Sequence, residues 1–315
     1  MARDLTPVHP ELRRLAAFFP PLFLNRWTVR PFQWLTAAMP KSRAPEGVRV
    51  DEVAIPGGDP HHRICLRIYR CADAKPDSPA LLWMHGGGLI IGSPRQNDRA
   101  MFDLVRELSI VVVSVDYRLA PQHPFPAPLD DCHTALKWVY AQNKDLGIDP
   151  KRIAIGGESA GGGLAASLAQ LVHDTGEIRP ALQLLIYPML DDRSSLRTDV
   201  PHSELLTWTQ RNNRFGWESY LGQACGSDAL PPYAVPARRA DLAGLPPAWI
   251  GVGTLDLFHD EAAEYAQRLV IAGVDCELVT VTGAFHGFDQ FDRGLSVVQG
   301  FRQSQLAALR RHLDL

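Results

Sequence analysis

The sequence predicts an α/β fold in which an eight-stranded, mostly parallel sheet carries helices on both faces and a helical cap. Unbroken apolar runs, typical of strands buried on both faces, alternate with helical segments. This alternation implies right-handed crossovers between parallel strands. A third observation concerns residues 188–247, where the alternation stops for longer than an ordinary connection requires, and this interval predicts an inserted lid.

The sheet is expected to begin with antiparallel strands. Residues 48–55 and 64–69 alternate apolar and polar side chains around a Pro-Gly-Gly-Asp-Pro turn, the pattern of a hairpin with one solvated face. The six continuous apolar runs predict strands at 80–84, 110–115, 153–155, 182–187, 248–252 and 276–281. Helices are predicted at 97–108, 129–143, 160–174 and 261–271, and a last one near the end of the chain.

The N-terminal segment is unusually apolar and aromatic. Leu5, Val8, Leu12 and Leu15 recur at helical spacing, which predicts either a helix packed on the core or a cap helix over an acyl-binding cleft. We therefore predict a helical cap or lid from residues 1–45 plus about 190–240, and a catalytic domain from 46–189 and 241–315. The apolar stretch 18–24 is too short and too rich in proline to span a membrane, and it lacks a cleavage site, so we expect no export.

Composition narrows the partners that the chain can have. Of its 315 residues, 32 are lysine or arginine and 35 are aspartate or glutamate, and no basic run is interleaved with aromatics. This balance argues against nucleic acid and favours a small-molecule ligand, with no membrane partner. The five cysteines are scattered and lack metal-ligand spacing, so we expect reduced thiols, no metal site and a cytoplasmic location.

A Gly-x-Ser-x-Gly motif lies between an apolar strand and a helical stretch rich in alanine and leucine. Gly157 and Gly161 flank Ser159 at the spacing of a nucleophile elbow, a tight and strained turn that lifts the serine hydroxyl clear of the sheet. On its own the motif fits a plain strand-turn-helix corner equally well. The catalytic interpretation therefore depends on partners elsewhere in the chain.

A glycine-rich loop follows the strand at 80–84. His85 is followed by three glycines, whose backbone N–H groups can point at one spot because no side chain blocks the approach. Together with the N–H group of Ala160, this loop can form an oxyanion hole. The alternatives are a simple glycine-rich turn, or a phosphate-binding loop, which the missing lysine disfavours.

A base for Ser159 is expected late in the chain if the order is nucleophile, acid, histidine. Of the three late histidines, His259 belongs to a helix start and His312 to the end of the last helix. His286 follows the last predicted strand, in a loop that can bring its ring over Ser159. We therefore predict His286 as the base.

The acid that orients this histidine is expected after the preceding strand. Asp256 lies in the loop at that position, while Asp260 is placed at a helix N-terminus, where its charge favours the helix dipole. Asp191 and Asp192 follow an earlier strand and remain alternatives, although a lid hinge suits them better. Asp256 is the predicted acid.

These residues resemble the hormone-sensitive-lipase-like family of α/β-hydrolases, which includes bacterial carboxylesterases and arylesterases. The resemblance runs from about residue 80 to the end, and the N-terminal part looks like the family's variable cap. It is carried by motifs in the family's order and spacing: His-Gly-Gly-Gly at 85–88, Asp-Tyr-Arg-Leu-Ala-Pro at 116–121, Gly-Glu-Ser-Ala-Gly-Gly at 157–162, Asp256 with Asp260-Glu261, and His-Gly-Phe at 286–288.

The resemblance implies a role for each matching residue. Ser159 is implied as the nucleophile, with Asp256 and His286 as its partners. The implied oxyanion hole consists of the N–H groups of Gly87, Gly88 and Ala160, and the implied supporting residues are His85, which braces the glycine loop, and Glu158. The family's commonest elbow has aspartate where this chain has Glu158, so we expect this position to affect substrate preference or bracing of the elbow.

The expected activity is two-step hydrolysis of short- to medium-chain acyl esters through an acyl-enzyme intermediate, without a cofactor. One alternative is a non-catalytic ligand receptor on the same fold, although in such receptors the base position is lost and here His286 is present. Another is an amidase or a thioester hydrolase with the same residues. Because the family often pairs through exposed sheet edges, a homodimer is also an expectation.

Overall fold

A computed structural model describes residues 4–18, 22–59, 61–198 and 206–315 of the chain. The described residues form one eight-stranded sheet with the strand order β1-β2-β4-β3-β5-β6-β7-β8. The strands are β1 (Val48–Pro56), β2 (Arg63–Cys71), β3 (Ser78–Met84), β4 (Val111–Asp116), β5 (Ile148–Glu158), β6 (Gln183–Ile186), β7 (Ala248–Gly253) and β8 (Cys276–Val281). The predicted strand count is confirmed.

The sheet is antiparallel only at its start. Strand β1 pairs with β2, and β2 pairs with β4, both antiparallel, while every later pairing is parallel. Strand β1 alternates partly exposed and covered residues, as a hairpin with one solvated face requires. Strands β3, β6 and β7 are buried throughout, and β5 is buried from Ile153 to its end, because helices cover both faces of the sheet there.

Two groups of helices cover the sheet. In one group, helix α3 contacts α9. In the other group, α6 contacts α4, and a hydrogen bond from Gln170 to the Tyr265 hydroxyl joins α6 to α8. The helices are α1 (Arg13–Phe18), α2 (Val29–Ala37), α3 (Asp98–Leu108), α4 (Ala127–Ala141), α5 (Asn143–Leu146), α6 (Ala160–Thr175), α7 (Gln210–Leu221), α8 (His259–Ile271) and α9 (Ser296–His312). This arrangement is the α/β-hydrolase fold, as predicted.

The largest difference from the predicted elements is at β5. The apolar run predicts residues 153–155, whereas the strand extends from Ile148 to Glu158. Gly156 and Gly157 are not part of an apolar run, but β3 and β6 flank them on either side and pair with them. Neighbouring strands therefore extend β5 to the residue before Ser159.

The N-terminal segment and the long insertion are joined by hydrogen bonds. The predicted helix near Leu5 begins only as a 3₁₀ turn at Pro10–Leu12, because prolines at 7 and 10 interrupt the backbone hydrogen bonds, and α1 follows. Asn212 of α7 accepts from the Leu24 N–H group and donates to the Leu22 carbonyl. Residues 19–21 of the predicted aromatic stretch and 199–205 of the predicted lid lie outside the described residues, and the division into cap and catalytic domain stays a prediction.

Within the described ranges, no helix combines the length and the apolar character that crossing a bilayer requires.

Candidate active site

Ser159 lies on a strained turn between β5 and α6. Its backbone angles are φ 54° and ψ −120°, which are rare for a residue with a side chain. The turn is held because the Ser159 N–H group donates to the Ile186 carbonyl, and the Ser159 carbonyl accepts from Gly163 and Met189. The strain raises the hydroxyl above the sheet, as a nucleophile elbow requires.

The two glycines of the motif are required by close packing. A Cβ atom on Gly157 would lie 2.4 Å from the Gly161 backbone, and one on Gly161 would lie 2.1 Å from the Met84 carbonyl oxygen. Helix α6 therefore begins in direct backbone contact with the end of β3. This contact places Ser159 beside the loop that follows β3.

A chain of hydrogen bonds joins the three predicted residues. The Nε2 atom of His286 is 2.9 Å from Ser159 Oγ, and its Nδ1 atom is 2.7 Å from Asp256 Oδ2. The other carboxylate oxygen of Asp256 accepts from the Phe258 N–H group. The Asp256 side chain is 0% exposed and that of His286 is 12% exposed, so solvent reaches the ring but not the carboxylate.

Two aromatic side chains hold the ring of His286, and a hydrogen bond holds its backbone. Tyr187 and Phe258 contact it edge-on, with centroids 4.8 and 5.0 Å away, and Thr207 donates to the His286 carbonyl. Tyr187 follows β6, and Phe258 lies in the loop between β7 and α8. The loop after β8 is thus fixed by neighbours whose positions the sequence motifs do not indicate.

The alternative acids lie in other contacts. Asp191 binds Arg193, and Asp192 binds Arg238. Asp260 lies in the first turn of α8 and binds His259 and Arg197. Of the four candidate aspartates, only Asp256 contacts His286.

The glycine loop after β3 adopts conformations that favour glycine. Gly87 and Gly88 have φ values of 124° and 62°. A Cβ atom on Gly87 would lie 2.0 Å from the Ile91 carbonyl oxygen, and one on Gly88 would lie 2.2 Å from the indole of Trp208. Within the described residues, the N–H groups of Gly87, Gly88 and Ala160 donate no hydrogen bond, which leaves three donors available to a ligand.

His85 is buried beneath this loop. Its Nδ1 atom is 2.8 Å from the Gly86 carbonyl, and its ring stacks on Tyr117, whose hydroxyl donates to the His85 carbonyl. Burial lowers the pKa of His85 to about 4, so the ring is neutral at physiological pH. A neutral ring with Nδ1 protonated can donate to Gly86, which gives the predicted bracing role a physical basis.

Glu158 joins several parts of the site that the sequence does not connect. Its Oε1 atom accepts from Asn97 and Gln96, and its Oε2 atom accepts from Gln290. Gln96 also donates to the Gly86 carbonyl, and Gln290 lies four residues after His286. The donors to this carboxylate are therefore side-chain amides from the segment after β3 and from the loop after β8.

A cavity of about 380 Å³ opens beside Ser159. Leu22 and Thr36 of the N-terminal segment and Thr207 and Trp208 of the insertion form part of its wall, together with Phe291. Helix α2 is fixed over the site because Gln33 donates to the Ile90 and Ala120 carbonyls and Thr36 accepts from the Gly92 N–H group. The N-terminal segment and the long insertion after β6 therefore both shape the space that is available to a ligand.

The fold, with a serine raised on a strand-to-helix turn, is that of the α/β hydrolases. A family model described as the alpha/beta hydrolase fold matches residues 81–290. The chain belongs to the α/β-hydrolase family, and the resemblance to its hormone-sensitive-lipase-like branch is confirmed.

Three proteins that this chain is similar to are named as esterases or ester hydrolases. The chain is 35% identical over 277 residues to the carboxylesterase NlhH of Mycobacterium tuberculosis, which covers 87% of this chain and 86% of that protein. It is 34% identical over 264 residues to an ethyl acetate hydrolase of Pseudomonas putida, covering 80% of each chain. Among solved structures, a bacterial heroin esterase superposes with a TM-score of 0.91 and 36% identity, covering 98% of this chain and 99% of that one.

Proposed function

We propose that this protein is a serine carboxylesterase that hydrolyses esters of short to medium acyl chains. The observation that carries the proposal is the hydrogen-bond chain from Asp256 through His286 to Ser159 beside a cavity. It is supported by the relatives, which are named as a carboxylesterase, an ethyl acetate hydrolase and a heroin esterase.

The first half of the proposed reaction acylates the serine. His286 Nε2 takes the proton from Ser159 Oγ, and the oxygen attacks the ester carbonyl carbon. Asp256 accepts from His286 Nδ1, which fixes the tautomer that leaves Nε2 free to act as the base. The free N–H groups of Gly87, Gly88 and Ala160 converge on the oxyanion of the tetrahedral intermediate. His286 then returns its proton to the departing alcohol.

The second half releases the acid. Water enters beside His286, gives up a proton to Nε2 and attacks the acyl carbonyl, and Ser159 leaves with that proton. Since 12% of the His286 side chain is exposed to solvent, water has access to the ring without passing through the protein interior. Besides the substrate and water, these steps use only residues of the chain.

Chain-length preference follows from the size of the cavity. A volume of about 380 Å³ accommodates a short or medium acyl chain, and Trp208 closes one side of it against Gly88. A long acyl chain would have to displace this indole or extend into solvent. We therefore expect p-nitrophenyl butyrate to be hydrolysed faster than the palmitate.

The test is a p-nitrophenyl ester series measured with wild-type protein and Ser159→Ala. We expect the substitution to lower kcat by about a million-fold, because removal of the nucleophile leaves only residual catalysis. Matched anilide and thioester substrates compare the ester with the other leaving groups. Substantial activity in Ser159→Ala would overturn the proposed mechanism, and faster turnover of the palmitate would overturn the proposed chain length.

Two further expectations belong to the same proposal. Strand β8 is one of the two edges of the sheet and Leu278 on it is 39% exposed, so we propose this edge as the surface of a homodimer, to be tested by sedimentation analysis. A cytoplasmic location also stays a prediction, to be tested by fractionation of expressing cells.

A further inference from the structure

The described wall of the cavity beside Ser159 has an acidic side chain and no lysine or arginine to balance it. Glu158 is the only aspartate, glutamate, lysine or arginine among its described lining residues. The side chain is 6% exposed, so solvent screens its charge poorly. A ligand in the cavity therefore lies close to a carboxylate in a largely dry environment.

The groups that bind Glu158 satisfy its hydrogen bonds but do not neutralise it. All three donors, from Gln96, Asn97 and Gln290, are side-chain amides, which carry no net charge. The orientation of Gln96 is fixed, because its Oε1 atom accepts from the Ser93 N–H group and its Nε2 atom therefore faces Glu158. The carboxylate of Glu158 thus receives hydrogen bonds from donors alone, and none of these donors is a cation.

A second carboxylate lies behind the first. Gln290 donates both to Glu158 and to the Tyr187 hydroxyl, which in turn donates to Asp289. Burial and, next, repulsion by Glu158 raise the pKa of Asp289 to about 6. In the described part of the chain neither Glu158 nor Asp289 forms an ion pair, and Arg293, the cation nearest in sequence, binds Asp103 instead.

The walls of the cavity are suited to a cation as well. Tyr187, Trp208 and Phe291 line it, and aromatic faces attract ammonium groups through their electron-rich surfaces. Their apolar character also allows a weakly hydrated quaternary ammonium group to enter. The cavity thus combines a carboxylate, aromatic side chains and the candidate nucleophile in one wall lining.

We propose that the site selects esters that carry a cationic ammonium group near the scissile bond, and that the charge of Glu158 sets this preference. The proposal rests on the proposed esterase function and specifies its substrate class. The ammonium group occupies the aromatic part of the cavity and remains non-covalently bound while Ser159 attacks the ester. Replacing the charge of the substrate, at constant shape, should therefore change kcat/KM.

The main experiment compares two esters of the same shape. Butyrylcholine and 3,3-dimethylbutyl butyrate differ only in that a quaternary nitrogen is replaced by carbon, and hydrolysis of both is followed by acid release in a pH-stat. We expect wild-type kcat/KM to be at least about tenfold higher for the cation, because a charge interaction over about 4 Å at an effective dielectric constant of about 20 exceeds what a tenfold effect requires. The matched variants are Glu158→Gln and, as control, Glu218→Gln, where Glu218 is a partly exposed residue of α7 paired with Arg214.

The readout is the ratio of the two kcat/KM values within each variant, which cancels any general loss of activity. We expect the ratio to fall to about one in Glu158→Gln and to stay at its wild-type value in Glu218→Gln. Equal kcat/KM for both esters in the wild type, or an unchanged ratio in Glu158→Gln, overturns the inference while the esterase proposal stands.

A binding measurement separates failure of this inference from failure of the proposed function. Phenyltrimethylammonium is titrated into each protein by calorimetry, which requires no turnover. We expect phenyltrimethylammonium to bind the wild type saturably and in competition with p-nitrophenyl butyrate. Its affinity should be about tenfold weaker in Glu158→Gln. If no ester is hydrolysed, the proposed function fails; if the cation does not bind the folded wild type, this inference fails.

Discussion

Gly161→Ala tests whether the contact between α6 and β3 sets the position of Ser159. The added Cβ atom would lie 2.1 Å from the Met84 carbonyl oxygen and 2.6 Å from that of His85. Ordinary contacts begin at 3.4 Å, so the two backbones must separate by about 1.3 Å. Neither contact is with a flexible side chain, and the separation therefore moves Ser159 away from the glycine loop.

The expected effects can be given as magnitudes. A misplacement of about 1 Å at a catalytic site can cost about 100-fold in rate, and overpacking of a close contact costs about 1 to 3 kcal/mol of stability. The measurements are kcat/KM for p-nitrophenyl butyrate and the free energy of unfolding in urea. We expect a fall in both.

The matched control is Gly300→Ala. Gly300 lies within α9, and its added Cβ atom meets nothing within 4 Å. Because alanine is the better helix former, we expect this variant to gain up to about 1 kcal/mol of stability and to keep wild-type activity. Wild-type activity and stability in Gly161→Ala, alongside a normal Gly300→Ala, would refute the packing argument.

Three other variants probe the surrounding site. Asp256→Asn places an amide where His286 Nδ1 needs an acceptor, so kcat for p-nitrophenyl butyrate should fall by about 10⁴-fold. The circular dichroism spectrum should stay unchanged. A loss of activity below tenfold would contradict the role of Asp256. The pKa of Asp289 is raised to about 6, so its contribution to the free energy of unfolding should fall by at most about 3 kcal/mol as pH rises from about 4 to about 6. Urea unfolding of the wild type relative to Asp289→Asn should show this decline. Parallel plots of unfolding free energy against pH for the two proteins would refute it. Glu261→Ala leaves the buried Leu190 N–H group and its neighbours without an acceptor and should lower the unfolding free energy by about 3 kcal/mol. Glu261→Gln should recover part of this loss. Equal stability of both variants and the wild type would argue against this role of Glu261.

Most of the fold was predictable because burial on both faces leaves a pattern in the sequence. The strand at Cys276–Val281 has the predicted bounds, and the other strands and the long helices end within a few residues of the prediction, apart from β5. Residues 156–158 could not be assigned to β5 from their own composition, since pairing with strands distant in sequence holds them there. In the N-terminal segment, Asn212 of α7 holds the stretch between α1 and α2, and Gln33 fixes α2 by donating to the Ile90 and Ala120 carbonyls, contacts that no local periodicity contains.

The sequence by itself identified the candidate residues Ser159, Asp256 and His286, because each follows a strand and parallel strands present their carboxyl ends at one edge. Their catalytic roles stay a prediction. Only the tertiary structure shows which of the candidate aspartates contacts His286, since this contact is a distance of 2.7 Å between Asp256 Oδ2 and His286 Nδ1, which follow different strands. It likewise shows the partners of Glu158, because Asn97 and Gln290 are separated by 193 positions in the chain and meet only when the segment before α3 and the loop after β8 pack on the same elbow.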